Sequence, residues 1–341
     1  MKAIQFMGNN RVEVVERRKP VPKGDWVVVK VTSSGICGTD LECLLNSPVK
    51  LDVIGGHEVT GIVDEIDEAK IYKAGDRVIV NCHITCMKCE HCLNGDLIFC
   101  PELKAFGFDR DGGNAEYMLV SEASLRPLPD DIDEELGVVI GDALGTPYNG
   151  LKRAEVKPGE WIGIFGVGPL GLMAVLCSTK YTSNIIAIDI NEKRLGQAVK
   201  FGAIHALNPA SQDVLAVIQE LTNGKGLDKT IDCSGNCQSI VLALKALKRR
   251  GRHVQVGVCQ DLKINTQAQV IDKELTVVGS RNFNDNDLHE IEDFVRSHPI
   301  VGSLITHRFS IGQAQEAFDT ARKREGIKIL IKPHMELEDS L

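Results

Sequence analysis

"WIGIFGVGPLGLMAVLCSTK", residues 161–180, decides how the middle of this 341-residue chain is read. A short apolar run is followed by G-x-G-x-x-G at Gly166, Gly168 and Gly171, and then by an apolar helix pattern. The glycines permit a tight turn and bring a pyrophosphate against the helix N-terminus, where free N–H groups and the dipole favour an anion. Pro169 and Leu170, between the second and third glycines, join the candidate cofactor-binding residues. Alone, the fingerprint is weak. A second strand pattern, "NIIAID" (184–189), ends in Asp189, close to where a carboxylate accepts hydrogen bonds from the adenosine ribose. A carboxylate there repels a 2′-phosphate and favours NAD over NADP, while Arg194 nearby pulls the other way.

Beyond this unit the alternation continues. Helix patterns at 192–202 and near 211–222 precede the strand "KTIDCSG" (229–235). A helix pattern around 237–248 leads to the strands "RHVQVGV" (252–258) and "LTVVGS" (275–280). Strands alternating with helices predict an α/β fold, a doubly wound parallel sheet covered on both faces. The competing reading is a Rossmann-like sheet that serves another ligand.

Upstream the chemistry changes. The stretch "CHITCMKCEHCLNGDLIFC" (82–100) holds five of the chain's eleven cysteines. Cys86, Cys89, Cys92 and Cys100 follow C-x2-C-x2-C-x7-C, a spacing that closes four thiolates around Zn²⁺ at Zn–S distances near ~2.3 Å. Four sulfurs leave no vacancy, so this zinc is structural. A metal-free cysteine loop or an iron–sulfur site is the alternative. Cys82, His83 and His91 fall outside the repeat. The other six cysteines are scattered, and most read as small buried hydrophobes.

A second, dispersed set lies in "SSGICGTDLE" (33–42) and "IGGHEVTG" (54–61). Cys37, His57 and Glu58 offer a thiolate, an imidazole and a carboxylate, the mixed donors of a catalytic zinc with one position open. Asp40 is placed to orient the His57 imidazole. No spacing pattern links them, and separately each has a bland reading.

In this order "GICGTD", "GGHEVTG", "AGDRV" (74–78), the cysteine loop, "GGNAEY" (112–117), "GVGPLG" and "IDI" resemble the zinc-dependent medium-chain alcohol/polyol dehydrogenases, in the sorbitol, glucose and threonine dehydrogenase-like branch. The resemblance covers essentially the whole chain. It implies a GroES-like, partly open β-barrel catalytic domain from 1–145 and 281–341, with a Rossmann NAD domain at 146–280 and the active site in the cleft. It implies two zinc ions per subunit. The catalytic one falls on Cys37, His57 and Glu58, with Asp142 where relatives carry Cys or Glu. Asp is shorter than Glu, so a bridging water is an alternative to direct ligation. Thr39 becomes the hydroxyl that begins a proton relay, with Asp40 and Glu58 beside it. Thr146, Ser234, Gly235 and the backbone of Val256, Gly257 and Val258 become the cofactor's neighbours. Lys328 approaches the pyrophosphate or is a solvated surface lysine.

The carboxylates at 58 and 142, with Glu42 and the polar stretch "GSRNFNDND" (279–287), lean toward a polyol, cyclitol or sugar-derivative substrate. "GSRNFNDND" could equally form a hinge loop. An amino-alcohol dehydrogenase of the threonine type is the alternative, and a non-catalytic nucleotide-binding relative is a third. A homodimer or homotetramer is expected by the same resemblance. The formal charge of −8 and the ordinary balance of 43% hydrophobic and 25% charged residues disfavour nucleic-acid and anionic-membrane partners. No apolar run approaches the ~20 residues that span a bilayer, and the start lacks a signal-peptide core, so a cytoplasmic protein is expected. Beyond the acidic end "MELEDSL" no interaction tail is evident.

Overall fold

The computed structural model describes residues 1–336; residues 337–341, most of the acidic end, lie outside the described residues. The chain forms two compact units, Met1–Asp142 with the segment from Asn284 onward, and Ala143–Phe283. These junctions fall a few residues from 145/146 and 280/281, because the helix Gly145–Ala154 packs wholly within the second unit, against the helix Pro169–Ser178.

In the second unit six strands run parallel. The spatial order is His205–Leu207, Ile185–Ile188, Ile162–Phe165, Leu227–Asp232, Leu247–Gln255, Thr276–Gly279. Numbered along the unit this is 3-2-1-4-5-6, the doubly wound Rossmann order. The central strands are continuous apolar runs because helices cover both faces: Ile162, Ile164 and Phe165 are fully buried, as are Ile185, Ile186 and Ala187. Two details depart from the sequence reading. The strand His205–Leu207 is too short to show a period. The helix Cys237–Ala246 stops early, and the next strand starts at Leu247 and bends through Arg250 at φ 59°.

The first unit is built on a seven-stranded sheet that the chain's two ends share. Its central strand Trp26–Ile36 pairs antiparallel with Glu58–Glu65, Tyr117–Ser121 and the late strand Lys328–Lys332. Valines at 27, 29, 31, 59, 63, 78, 80 and 120 fill one core, the GroES-like part of the fold. A second core gathers Ile4, Phe6, Leu44 and Leu45 with Phe309, Phe318 and Ile331 from the late segment. Among the described residues no helix is long and apolar enough to cross a membrane.

The scattered cysteines correct the expectation of buried packing residues. Of Cys37, Cys43, Cys177, Cys233, Cys237 and Cys259, Cys177 alone is buried, and Cys43 is exposed. Cys237 and Cys259 form a disulfide. Cys237 opens the helix that follows one strand and Cys259 lies in the loop after the neighbouring strand, which brings their Cα atoms to 5.9 Å, within disulfide range.

Candidate functional site

Cys37 follows the end of the central strand, and His57 and Glu58 open the strand beside it, where Gly35 pairs with Glu58. Asp142 is carried on a π-helical turn, Ile140–Leu144, and Asp40 starts another, Asp40–Leu45. Single π-turns shift the side-chain register and recur at functional sites. One ligand atom from each of Cys37, His57, Glu58 and Asp142 lies within 4.8 Å of the others. Cys37 Sγ is 3.6 Å from Asp142 Oδ2 and 3.7 Å from Thr39 Oγ1. Buried Asp40 accepts the Cys37 backbone N–H at 2.9 Å and lies 3.1 Å from His57 Nδ1, which leaves Nε2 as the coordinating nitrogen. Phe108 packs on the imidazole with ring centroids 5.3 Å apart, a contact with no sequence signal.

The electrostatics fit a cation. Burial, then Asp142, pushes the Cys37 thiol up. Burial also raises the Glu58 carboxyl, opposed by Lys328 and reinforced by Asp142. Burial lowers His57, yet Asp40 outweighs it and holds the ring well above its ordinary value. Anionic donors crowded in a buried space with Glu58 Oε1 lacking any hydrogen-bond partner match what a divalent ion would satisfy.

The cysteine loop is a separate cluster. Cys86, Cys89, Cys92 and Cys100 converge within the same 4.8 Å, and Cys82, His83 and His91 are not in the group. The Lys88 backbone N–H pulls the Cys86 thiol down to about 7, while burial pushes Cys92 up to about 11. The polar stretch 279–287 meets this loop. Asn284 donates to Asn94 O and Asp96 Oδ1, Asn286 donates to Asn94 O, and Asp285 pairs with Arg126. The side chains of Asn284, Asp285 and Asn286 thus clamp the loop and its neighbour Arg126. Glu42 is exposed. Lys328 is not a solvated surface lysine; it is buried and paired with Glu58.

In the second unit the strand Ile162–Phe165 enters the fingerprint turn at Gly166, φ 81°, and Gly168 caps the helix Pro169–Ser178. A Cβ at Gly171 would collide with Gly166 O, so the turn needs a bare backbone. Asp189 accepts the N–H groups of Val167 at 2.8 Å and Asn191 at 2.9 Å, fixing its carboxylate beside the turn. The Arg194 guanidinium reaches to Gly168. Ser234 and Gly235 follow the neighbouring strand, across the point where strand order reverses. Their N–H groups are held by buried Asp232, which also takes Ser234 Oγ, Ser239 Oγ and Gln255 Nε2. Sequence reading passed over Asp232 as a strand-end residue. Val256 and Gly257 are half-buried, Val258 is exposed, and Thr146 is buried in the helix Gly145–Ala154. This cradle, with a helix N-terminus and a fixed acid, fits a dinucleotide.

Residues 23–130 match the alcohol dehydrogenase GroES-like domain, and residues 169–297 match the zinc-binding dehydrogenase domain. A zinc-type alcohol dehydrogenase-like protein of Escherichia coli K12 is 33% identical over 93% of this chain and 94% of its own. The chain belongs to the zinc-dependent medium-chain alcohol/polyol dehydrogenases. Sorbitol dehydrogenase of Bacillus subtilis is 30% identical to this dehydrogenase, over 98% of each chain. The alcohol dehydrogenase TADH of Thermus sp. ATN1 superposes with a TM-score of 0.90 at 27% identity, over 97% of this chain and 99% of its own. The protein is an oxidoreductase of this family.

Proposed function

We propose that this dehydrogenase transfers hydride between a secondary hydroxyl of a polyol, cyclitol or sugar derivative and NAD, with one zinc at the dispersed cluster and another at the cysteine loop. The observation that carries the reading is the convergence of Cys37, His57, Glu58 and Asp142 around the partnerless Glu58 Oε1. When bound there, zinc would supply Lewis acidity, bringing an alcohol pKa of ~16 toward ~7. Thr39 Oγ1, beside the Cys37 sulfur, begins a relay: it accepts the substrate hydroxyl's proton as it passes its own on toward solvent. Asp40 fixes the His57 tautomer and ring plane. The fingerprint glycines and the helix N-terminus hold the pyrophosphate, Asp189 the ribose, and the Asp232-braced turn at Ser234–Gly235 the nicotinamide end.

Support for a hydroxyl-rich substrate comes from the carboxylate-bearing cluster and from the sorbitol dehydrogenase relative. The choice of NAD rests on Asp189, although Arg194 beside Gly168 is a cation within reach of a 2′-phosphate. A homodimer or homotetramer is part of the reading, since the edge strand Thr276–Gly279 leaves Val277 exposed and its outer side unpaired among the described residues; a cytoplasmic location is proposed with it. The test is an NAD- and NADP-coupled screen over polyols, aldoses and amino alcohols, with zinc counted alongside. NAD-linked oxidation of a polyol or sugar with two zinc ions per chain is expected. Turnover of amino alcohols alone, or a single zinc, would overturn the reading.

A further inference from the structure

The disulfide between Cys237 and Cys259 joins the two turns assigned above to the nicotinamide end. Cys237 stands two residues after Gly235 and opens the ten-residue helix Cys237–Ala246. Cys259 follows Val258 directly. The turns already touch through their backbones: a Cβ at Gly235 would meet Val258 O, and one at Gly257 would meet Gly235 N. On the inner side they are braced by hydrogen bonds. Asp232 O accepts the N–H groups of Val256 and Gly257 at 3.0 and 2.9 Å, and Gln255 Nε2 donates to Asp232 Oδ1 and Gly257 O. That bracing stops at Gly257. Among the described residues no hydrogen bond or ion pair involves residues 258–264, and the disulfide is the one bond anchoring them to the neighbouring turn. In a reducing compartment such a bond is usually transient and redox-sensing, and the same chain needs four reduced cysteines at its metal loop. Both partners are half-buried, with exposed Asn236, Gln238, Val258 and Gln260 beside them, so an incoming thiol can reach the pair.

We propose that Cys237–Cys259 is a reversible thiol–disulfide site whose oxidation state sets the affinity for the dinucleotide. The inference rests on the cofactor reading given above. The reductant is a dithiol. Its first thiolate attacks Cys259 Sγ; a mixed disulfide forms as the Cys237–Cys259 bond breaks, and Cys237 leaves as the thiolate. Cys237 is the better leaving group because the N-terminus of its helix favours the anion. The second thiolate attacks the reductant's own sulfur in the mixed disulfide, closes the oxidised dithiol and expels Cys259. Two electrons pass to the protein pair, and the dithiol's two protons end on the two cysteines. The oxidised form of the same dithiol reverses the exchange. Once the bond is open, residues 258–264 lose their anchor and Val258 no longer keeps one position against Gly235. The dinucleotide then binds only the fraction of molecules in which the two turns still meet.

The test compares the full chain equilibrated with oxidised or reduced dithiothreitol, and Cys237→Ser/Cys259→Ser treated alike. Thiol labelling read by mass spectrometry should find 237 and 259 joined in the first state and free in the second. The preferred dinucleotide should bind about three- to tenfold more weakly after reduction, the loss expected when the competent conformation is populated roughly a tenth to a third of the time. Trypsin should cut after exposed Lys263 faster in the same state. The double variant should bind as the reduced protein does and ignore dithiothreitol. It keeps the metal loop, so a response that acts through zinc would persist in it and overturn the proposal. Equal affinity in the two states of the wild type overturns it too, as does failure of 237 and 259 to join under oxidation. If the double variant does not accumulate folded, Cys259→Ala carries the same expectation. A chain that binds neither NAD nor NADP in either state refutes the cofactor reading itself, whereas binding indifferent to the redox state refutes this inference alone.

Discussion

The two metal-ligand clusters use similar atoms under opposite rules. The cysteine loop draws four identical donors from residues 86–100, two of them buried and two half-buried, and offers a metal no open position. The dispersed cluster draws four donors of three chemical kinds from residues 37–142, and every neighbour that orients them is itself buried or paired. A site that only holds a loop together can be local, because its ligands need nothing but each other. A site that must release and take up a ligand needs donors of unequal strength, and these come from separate elements whose positions the sheet fixes.

Breaking either cluster should expose this difference. The largest expected effect is Cys37→Ser, which should lower turnover by roughly a thousandfold or more through loss of the metal's chemistry. NAD binding, read by nicotinamide fluorescence, and the melting temperature should change little. Retained turnover would remove the dispersed cluster from catalysis. Asp40→Asn keeps the shape but weakens the hold on His57 Nδ1. Activity or zinc affinity should fall about 10–100-fold, as other partners of ligating histidines do, with zinc at the cysteine loop unaffected. Cys92→Ser should reverse the pattern: one zinc lost per chain and thermal stability lowered by several kcal/mol, about 3. The molecules still folded should turn over at close to the wild-type rate. A rate that fell with the metal would make the loop part of the reaction. His91→Ala should do least, about 0.5 kcal/mol or less, with zinc counted at two. His91 is exposed beside Phe99 and outside the four-sulfur group; loss of a zinc would show that the loop is not sulfur-saturated.

The same contrast governs what the sequence discloses. Gly166, Gly168, Gly171 and Asp189 are legible because backbone approach and a ribose acid impose a spacing on a contiguous strand–turn–helix. The four loop cysteines are legible for a like reason. Cys37, His57, Glu58 and Asp142 carry no spacing; donor chemistry suggested the first three, and resemblance alone added Asp142. Four features were out of reach. Phe108 meets His57 through the fold. Asp232 reads as an ordinary strand end until its five acceptor bonds are seen. Lys328 gave one clue, a charge at the head of the strand "KILIK", which a surface strand would also show. The disulfide between Cys237 and Cys259 links a helix start to a loop whose proximity only the parallel sheet establishes.

The strand that carries Lys328 lies against Ser34–Ile36, one strand in from the edge of the first unit's sheet, although it is made long after its partner. While the ribosome is still at work, that stretch of the central strand has an open edge, a template for unwanted pairing between nascent chains. The cysteine loop can close once residue 100 has emerged, whereas the Glu58 pairing waits for residue 328. Synthesis in cells lacking sufficient chaperone capacity should therefore yield aggregates rather than a soluble truncated form that ends before residue 328.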